Sequence, residues 1–404
     1  MKIFYFGSVC SQDVFNKTVE KSKIKPSASA QSFESALIKG FSENTDIDIT
    51  VASAESIAMF PGGNRIYLKK RIDLLTENCS ANIISAINLP LIKQINHADG
   101  AVRLFKKWEK ENRNIKEKCV LVYGLYPQVV NKLQKACRKH NCKIFALITD
   151  IPSTMFTYTK SNNILKALFA DSYRKKAVLI QDKFDGYIYL TEKMEEKVAP
   201  GKPYIVVETI ADTNVFDKTE RVEKSYPPAI MYAGALYKKY GVDMIVEAFE
   251  NVKNNCELWL FGSGDYEDEI SQKAKQNPKI KFFGRVSRED VLIKEKEATL
   301  LLNIRDPEEL YTRYSFPSKM IEYMLSGTPV LTTKLSGIPN EYYSYCYLVN
   351  ERNIINIAEQ IDNILSDGKN NITSVGNKAR EFVIREKNCN VQANKIAGFL
   401  KRNV

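Results

Sequence analysis

Short apolar runs alternate with longer segments of helical period along most of the chain. Residues 2–7, 47–52, 119–123, 143–148, 186–190 and 204–207 read as strands, and residues 32–43 and 127–139 as helices. The second half repeats the pattern more cleanly. Residues 229–233, 257–261, 281–283, 300–304 and 329–332 read as strands. Val242, Ile245, Val246, Phe249 and Val252 recur at helical spacing, so 241–253 is an amphipathic helix. Further helices are expected over 354–366 and 375–385. Strands alternating with helices predict an α/β fold with mostly parallel sheets covered on both faces. The polar stretch 210–228 closes with Tyr226-Pro227-Pro228 and reads as a linker. The expected plan is a domain over 1–210, a linker over 211–228, a domain over 229–385 and a tail over 386–404 that packs back on the first domain. Two doubly wound domains would face a central cleft, with ligands at the carboxyl ends of the strands.

One segment offers chemistry for such a cleft. Taken as a helix, residues 315–326 place Ser315, Ser318, Lys319, Glu322 and Ser326 within roughly 100° of arc. Pro317, Met320, Ile321, Met324 and Leu325 cover the other side. Pro317 suits a first helical turn, where its missing N–H costs nothing. The free N–H groups of Ser318 and Lys319 would then form an anion site with the helix dipole. Lys319 adds a full charge. Glu322, one turn deeper, can accept hydrogen bonds from a vicinal diol such as a ribose. A phosphate end and a diol end at this spacing fit a nucleoside diphosphate. The alternative is an ordinary amphipathic helix capped by Ser315.

The second half resembles the donor domain of glycosyltransferase family 4, which has the GT-B fold of two Rossmann-like domains. The resemblance lies in Tyr232-x-Gly234-Ala235-Leu236-x-Lys238-Lys239-x-Gly241-Val242-Asp243, in Phe261-Gly262-Ser263-Gly264-Asp265, in Phe283-Gly284-Arg285-Val286-Ser287 and in Glu322-Tyr323-Met324-x-x-Gly327-x-Pro329-Val330. In the first half it is limited to the layout and to Asp185-Gly186-Tyr187-Ile188-Tyr189-Leu190-Thr191-Glu192. It implies sugar transfer from a nucleoside-diphosphate sugar, here a UDP-sugar, with retention at the anomeric carbon and without a bound metal or other cofactor. Ser318 and Gly234 would lie at the phosphates and Glu322 at the ribose, with Lys319 and Lys239 stabilising the leaving diphosphate. The Phe-Pro-Ser-Lys variant points to bacterial surface-polysaccharide assembly, with a glycan or lipid-linked glycan as acceptor.

Three positions depart from that pattern. Tyr314 stands where the family carries a sugar-contacting glutamate, Ala235 where it carries an arginine and Tyr240 where it carries a lysine. Lys238 or Lys239 can supply the displaced charge. Asp306, Glu308 and Glu309 can contact the sugar hydroxyls or form a solvated loop. Arg285 and Arg305 each follow a strand, and each reads as a diphosphate or nucleobase contact or as a structural ion pair. Asp150 ends a strand of the first domain and reads as an acceptor contact or base, or as a turn or helix-cap aspartate. Gly7-Ser8 ends the first strand, where a phosphate or acceptor would approach. Residues 25–30 read as an acceptor loop. Gly262-Ser263-Gly264 lacks the third glycine of a dinucleotide fingerprint and reads as a tight turn.

Composition narrows the field. Eight cysteines without a Cys-x-x-Cys pair read as free thiols. Two histidines, His97 and His140, argue against a histidine-built zinc site and are expected at the surface. No run nears the ~18 apolar residues of a spanning helix, so a cytoplasmic protein is expected. The net charge of +11 suits anionic partners, or is a lysine-rich solvated surface. Within 164–180, Leu165, Leu168 and Phe169 beside Lys166, Arg174, Lys175 and Lys176 read as an anionic membrane contact on the inner face of the cell membrane, or as a core helix with a wet face. Nothing recognisable points to nucleic acid. The competing class is a non-catalytic glycosyltransferase-like subunit that binds a glycan or a partner. A sugar-nucleotide epimerase would want more acid–base groups than the segment holds.

Overall fold

The structure, a computed structural model, describes residues 1–154, 164–213 and 222–404, without the side chains of 154 and 164–169. It divides into two compact units. One comprises Met1–Ile210 and Cys389–Val404, the other Ala211–Asn388.

The first unit runs β1 (Lys2–Gly7), α1 (Gln12–Lys21), α2 (Ala28–Glu43), β2 (Asp48–Ser53), β3 (Tyr67–Leu68), β4 (Arg71–Thr76), β5 (Cys79–Ile83), β6 (Ala86–Ile87), α3 (Ile92–Glu111), β7 (Lys118–Tyr123), α4 (Pro127–Lys139), β8 (Lys143–Ile148), α5 (Ile164–Val178), β9 (Gly186–Tyr189), α6 (Glu195–Val198) and β10 (Tyr204–Val206). Its sheet order is β10-β9-β8-β7-β1-β2-β5-β4, parallel except for the β4–β5 pair. Strands β1 and β7 are apolar on both faces because helices cover both, as parallel sheets require. The helices obey the same logic. In α4, Val129, Val130, Leu133, Ala136 and Cys137 form the buried stripe, Pro127 opens the first turn, and Arg138 and Lys139 meet the carbonyl end.

The second unit runs β11 (Ala229–Ala235), α7 (Val242–Phe249), β12 (Glu257–Ser263), α8 (Glu267–Gln276), β13 (Ile280–Gly284), α9 (Arg288–Glu297), β14 (Leu300–Asn303), α10 (Ser318–Ser326), β15 (Val330–Thr332), β16 (Tyr347–Leu348), α11 (Ile354–Ser366) and α12 (Lys369–Glu386). Its six strands are parallel in the order β13-β12-β11-β14-β15-β16. The apolar helix face read from the sequence is the buried one, with Val242, Ile245, Val246 and Phe249 against the sheet. The last helix, α13 (Cys389–Asn403), belongs to the first unit, where it packs on α2.

Several expectations need correction. Residues 28–30 are the first turn of α2, not a loop, because Ser27 caps it by accepting from the Ala30 N–H. His97 is not at the surface. It shares a buried stripe of α3 with Ala101, Phe105 and Trp108, and burial lowers its pKa to about 3. His140 is half-buried, with Nδ1 3.0 Å from Glu109. All eight cysteines are free thiols, as the sequence implies. Residues 155–163 and the side chains of Leu165, Lys166, Leu168 and Phe169 lie outside the described residues, as does 214–221 of the expected linker. Among the described residues no helix is long and apolar enough to cross a membrane.

Candidate active site

In the second unit the chain moves outward through β11, β12 and β13, then reverses to β14, β15 and β16. The loops after β11 and β14 therefore diverge, and a crevice opens between them at the carboxyl edge of the sheet. Two glycines let the surrounding loops close up. Gly262 has φ 128°, and a Cβ there would lie 1.7 Å from the Gly234 carbonyl oxygen. Gly241 has φ 79°, and its Cβ would lie 1.9 Å from the carbonyl oxygen of Ile304. Gly234 thus sits at the end of β11 with its backbone pressed against the neighbouring turn.

Cations flank the crevice on aromatic supports. The Arg305 guanidinium, just past β14, lies 4.7 Å from the Tyr240 ring and 6.0 Å from the Tyr311 ring. Lys239 Nζ lies 5.1 Å from Tyr240 and 5.3 Å from Tyr237. Tyr311 Oη donates to the Lys239 carbonyl at 2.9 Å, which ties the two loops together. Partial burial lowers the Lys239 pKa, and Arg305 adds to that effect. Lys238 turns elsewhere, 5.1 Å over the Tyr266 ring. Of the two adjacent lysines, only Lys239 shares the Tyr240 ring with Arg305.

The third side of the crevice is α10. It begins at Ser318, with Pro317 as the extended residue before it, so the helix is three residues shorter than the sequence suggests. Ser315 is no cap; its hydroxyl donates to the Tyr311 carbonyl. Ser326 is buried, donating to the Tyr323 carbonyl and accepting from the Thr328 N–H, so it serves the turn into β15. Ser318, Lys319 and Glu322 remain towards solvent, and Met320, Ile321, Tyr323, Met324 and Leu325 are buried. Tyr323 Oη accepts from the Ala233 N–H at 2.8 Å and donates to the Ala233 carbonyl at 3.1 Å. That double bond fixes α10 to the end of β11. Burial raises the Tyr232 pKa to about 12 while Arg305 and Lys319 both pull it down, so both cations stand close to this strand end.

Residues 227–367 match the family described as Glycosyl transferases group 1. That match lies within the second unit and spans about a third of the chain. The full chain aligns with the crystal structure of Anabaena HepE in complex with UDP, at 14% identity and a TM-score of 0.62 over 100% of both chains. It aligns with the lipopolysaccharide outer core galactosyltransferase WaaB in its apo form, at 14% identity and a TM-score of 0.61 over 100% of both. It also aligns with the sucrose-phosphate synthase of Thermosynechococcus elongatus, at 14% identity and a TM-score of 0.62 over 100% of this chain and 99% of that one. Likenesses this distant in sequence give the fold, and the chain has the GT-B fold. No curated protein matches it.

Within the matched residues, Lys319 does not wait alone. Its Nζ is ion-paired with Glu322, one turn along, and lies 3.4 Å from Glu295 Oε1 of α9. Arg288, at the start of α9, lies 3.4 Å from the other oxygen of Glu322. Burial works against the charge on Glu322, but Lys319 and then Arg288 outweigh it and hold the carboxyl below its usual range. Burial also disfavours charge on Lys319, yet Glu322 and then Glu295 keep its pKa above the ordinary lysine range. Glu295 is fully buried, and among the described residues its Oε2 has no partner. That burial pushes its carboxyl well up, with Lys319 pulling the other way. The sequence conceals Glu295 and Arg288. They belong to Arg-Glu-Asp-Val-Leu-Ile-Lys-Glu-Lys-Glu, a run dense in charge that carries no sign of which acid turns inward.

The remaining candidates divide. Arg285 follows β13 and its Nε donates to Ser263 Oγ at the end of β12. Asp306 is 3.1 Å from Arg352 and also accepts from the Glu308 N–H, so this carboxylate is already engaged. Glu308 and Glu309 are exposed. Tyr314 follows the short turn Leu310–Arg313. Asp150 belongs to the first unit, past the end of β8. Thr149 Oγ1 donates to it at 3.3 Å, and partial desolvation raises its pKa.

The first unit has a reversal of its own between β1 and β7, and Gly7-Ser8 leave β1 there. The expectation of an open approach at Ser8 fails. Glu34 of α2 accepts from the Ser8 N–H at 2.9 Å, from Ser8 Oγ at 2.6 Å and from Tyr5 Oη at 2.7 Å. A carboxylate of the chain already fills the place an incoming anion would take.

Proposed function

We propose that this glycosyltransferase moves a sugar from a UDP-sugar to a hydroxyl of a glycan or lipid-linked glycan in bacterial surface-polysaccharide synthesis, with retention at the anomeric carbon. The observation that carries the reading is the Lys319–Glu322 pair at the start of α10, set at the reversal of a group 1 domain sheet. Anabaena HepE is found in complex with UDP, and that supports uridine as the nucleoside.

In this reading the diphosphate lies against the N–H groups of Ser318 and Lys319. Both point out of the first turn, where the helix dipole favours negative charge. Lys319 then exchanges its Glu322 partner for phosphate oxygen, and Glu322 is released to accept from the ribose diol. Lys239 and Arg305, stacked on Tyr240, take charge that grows on the leaving diphosphate as the glycosidic bond breaks. Arg285 serves the nucleotide from the far edge, beside Gly234. The phosphate charge is met by side chains and a helix end, so the proposed reaction runs without a metal ion. Asp150 is assigned to the acceptor side, as a contact or a base for the acceptor hydroxyl.

The deciding experiment follows UDP release from a panel of UDP-sugars by the purified chain, with the product anomer read by proton NMR. UDP release from one donor and a retained anomer are expected. A folded chain that binds UDP but hydrolyses no donor would favour the non-catalytic subunit instead. The engaged state of Asp306 and the tyrosine at 314 are the observations on that side.

A further inference from the structure

Helix α9 turns Leu292 and Glu295 inward. A buried leucine there needs no account, but a fully buried carboxyl does. The helix is fixed where Glu295 leaves it. Thr328 Oγ1, in the turn between α10 and β15, donates to the Glu295 carbonyl at 2.7 Å and accepts from Lys224 Nζ at 2.6 Å. The Glu295 side chain thus reaches α10 from a backbone that is itself tied to the turn behind α10.

Its two oxygens differ. Oε1 accepts from Lys319 Nζ at 3.4 Å. Oε2 is buried and, among the described residues, has no partner. The other ionisable groups on this side are Glu322 and Tyr323 of α10, and Arg288, which reaches Glu322. The Tyr323 hydroxyl is engaged with Ala233. Lys224 is engaged with Thr328 and the Ala298 carbonyl. Among the described residues, Lys319 is the one cation within ion-pairing distance of Glu295, and Glu322 already holds it. An ionised Glu295 would be buried with a shared cation on one oxygen and nothing on the other, a costly state.

We infer that Glu295 is the positioning residue for Lys319 and acts as an uncharged carboxylic acid. It carries its proton on Oε2, where an unpaired hydroxyl costs less than the unpaired half of a carboxylate. Oε1 holds the Lys319 ammonium and leaves its charge free for an anion. An ionised Glu295 would compete with the diphosphate for Lys319. The neutral acid keeps the ammonium in place while it exchanges Glu322 for phosphate oxygen. The inference rests on the reading that UDP lies at Lys319.

The test uses the full chain, infrared spectroscopy and UDP calorimetry. At neutral pH the parent chain should show a protonated-carboxyl band that Glu295→Gln removes. Glu295→Leu should weaken UDP binding about tenfold to a hundredfold, the range for a hydrogen bond to a charged group. Glu295→Gln keeps the oxygen without the charge and should recover nearly all of that loss. As rising pH removes the band, UDP affinity of the parent chain should fall in step, roughly tenfold, because a negative charge then stands beside Lys319. The affinity of Glu295→Gln should not follow. A merely structural carboxyl would give both chains one pH course, and that result would overturn the inference. So would UDP binding by Glu295→Leu as tight as the parent's. A parent chain that binds UDP without showing the band overturns the inference alone. One that shows the band and binds no UDP overturns the nucleotide reading, and this role with it.

Discussion

Each unit holds a carboxylate at the reversal of its sheet, and the two are satisfied in opposite ways. Glu34 accepts from neutral donors, among them Ser8, Tyr5 and the Val9 backbone, in full burial. Every bond it can use is made within the chain, so nothing is left for a ligand. Glu322 is paired with two cations, Lys319 and Arg288, at a half-buried helix face. Those cations can change partner without leaving the site. The comparison separates a closed network, which holds a strand end to a helix, from an exchangeable one, which can receive phosphate. Burial alone does not distinguish them; the charge of the partners does.

The largest expected effect tests the exchangeable side. Lys319→Ala should lower turnover about a hundredfold, near 3 kcal/mol, the usual loss of one preorganised donor at a developing anion. Steady-state kinetics with the active donor measures it, and unchanged turnover would sink the assignment. Next comes the closed side. Glu34→Ala leaves three donors without an acceptor and should cost about 2–3 kcal/mol of stability in urea unfolding. UDP affinity should stay at the parent value, and a matching loss of affinity would erase the distinction drawn here. Glu322→Ala should weaken UDP binding by about tenfold to a hundredfold in calorimetry, the range for hydrogen bonds to a charged group. Equal affinity would count against the ribose role.

A smaller effect concerns Glu295, whose pKa is raised by burial. Such a group is neutral at low pH, and the cost of ionising it inside the fold appears as pH climbs above the unfolded value of about 4.3. The stability of the parent chain relative to Glu295→Gln should therefore fall between pH 5 and 8. Thermal melts across that range would show it, and a rising difference would reverse the sign. Last, a metal chelator should leave donor hydrolysis unchanged; loss of activity restored by a divalent ion would refute the metal-free reading.

The sequence made the α/β layout legible because Ile3–Phe6, Val242–Phe249 and similar runs follow the period of their elements. The face of α10 was legible for the same reason, since Lys319 and Glu322 fall opposite Met320 and Met324. What stayed hidden depends on which way a side chain turns. Glu295 lies among lysines and acids that all look solvated, and only the packed helix shows that one of them points inward. Tyr240 and Tyr311 are far apart in sequence, and their shared hold on Arg305 exists only after folding. His97 was misplaced because the polar residues around it mask the stripe it shares with Phe105.

Helix α13 follows the whole second unit in the chain yet belongs to the first, with Ile396, Ala397, Phe399 and Leu400 in its core. The first unit is therefore encoded in two pieces with another unit between them. On the ribosome, its early strands must wait for the intervening unit, on the order of ten to thirty seconds at ordinary elongation rates. During that interval the α2 surface that receives α13 stays uncovered, and it is then that a chaperone would find its client.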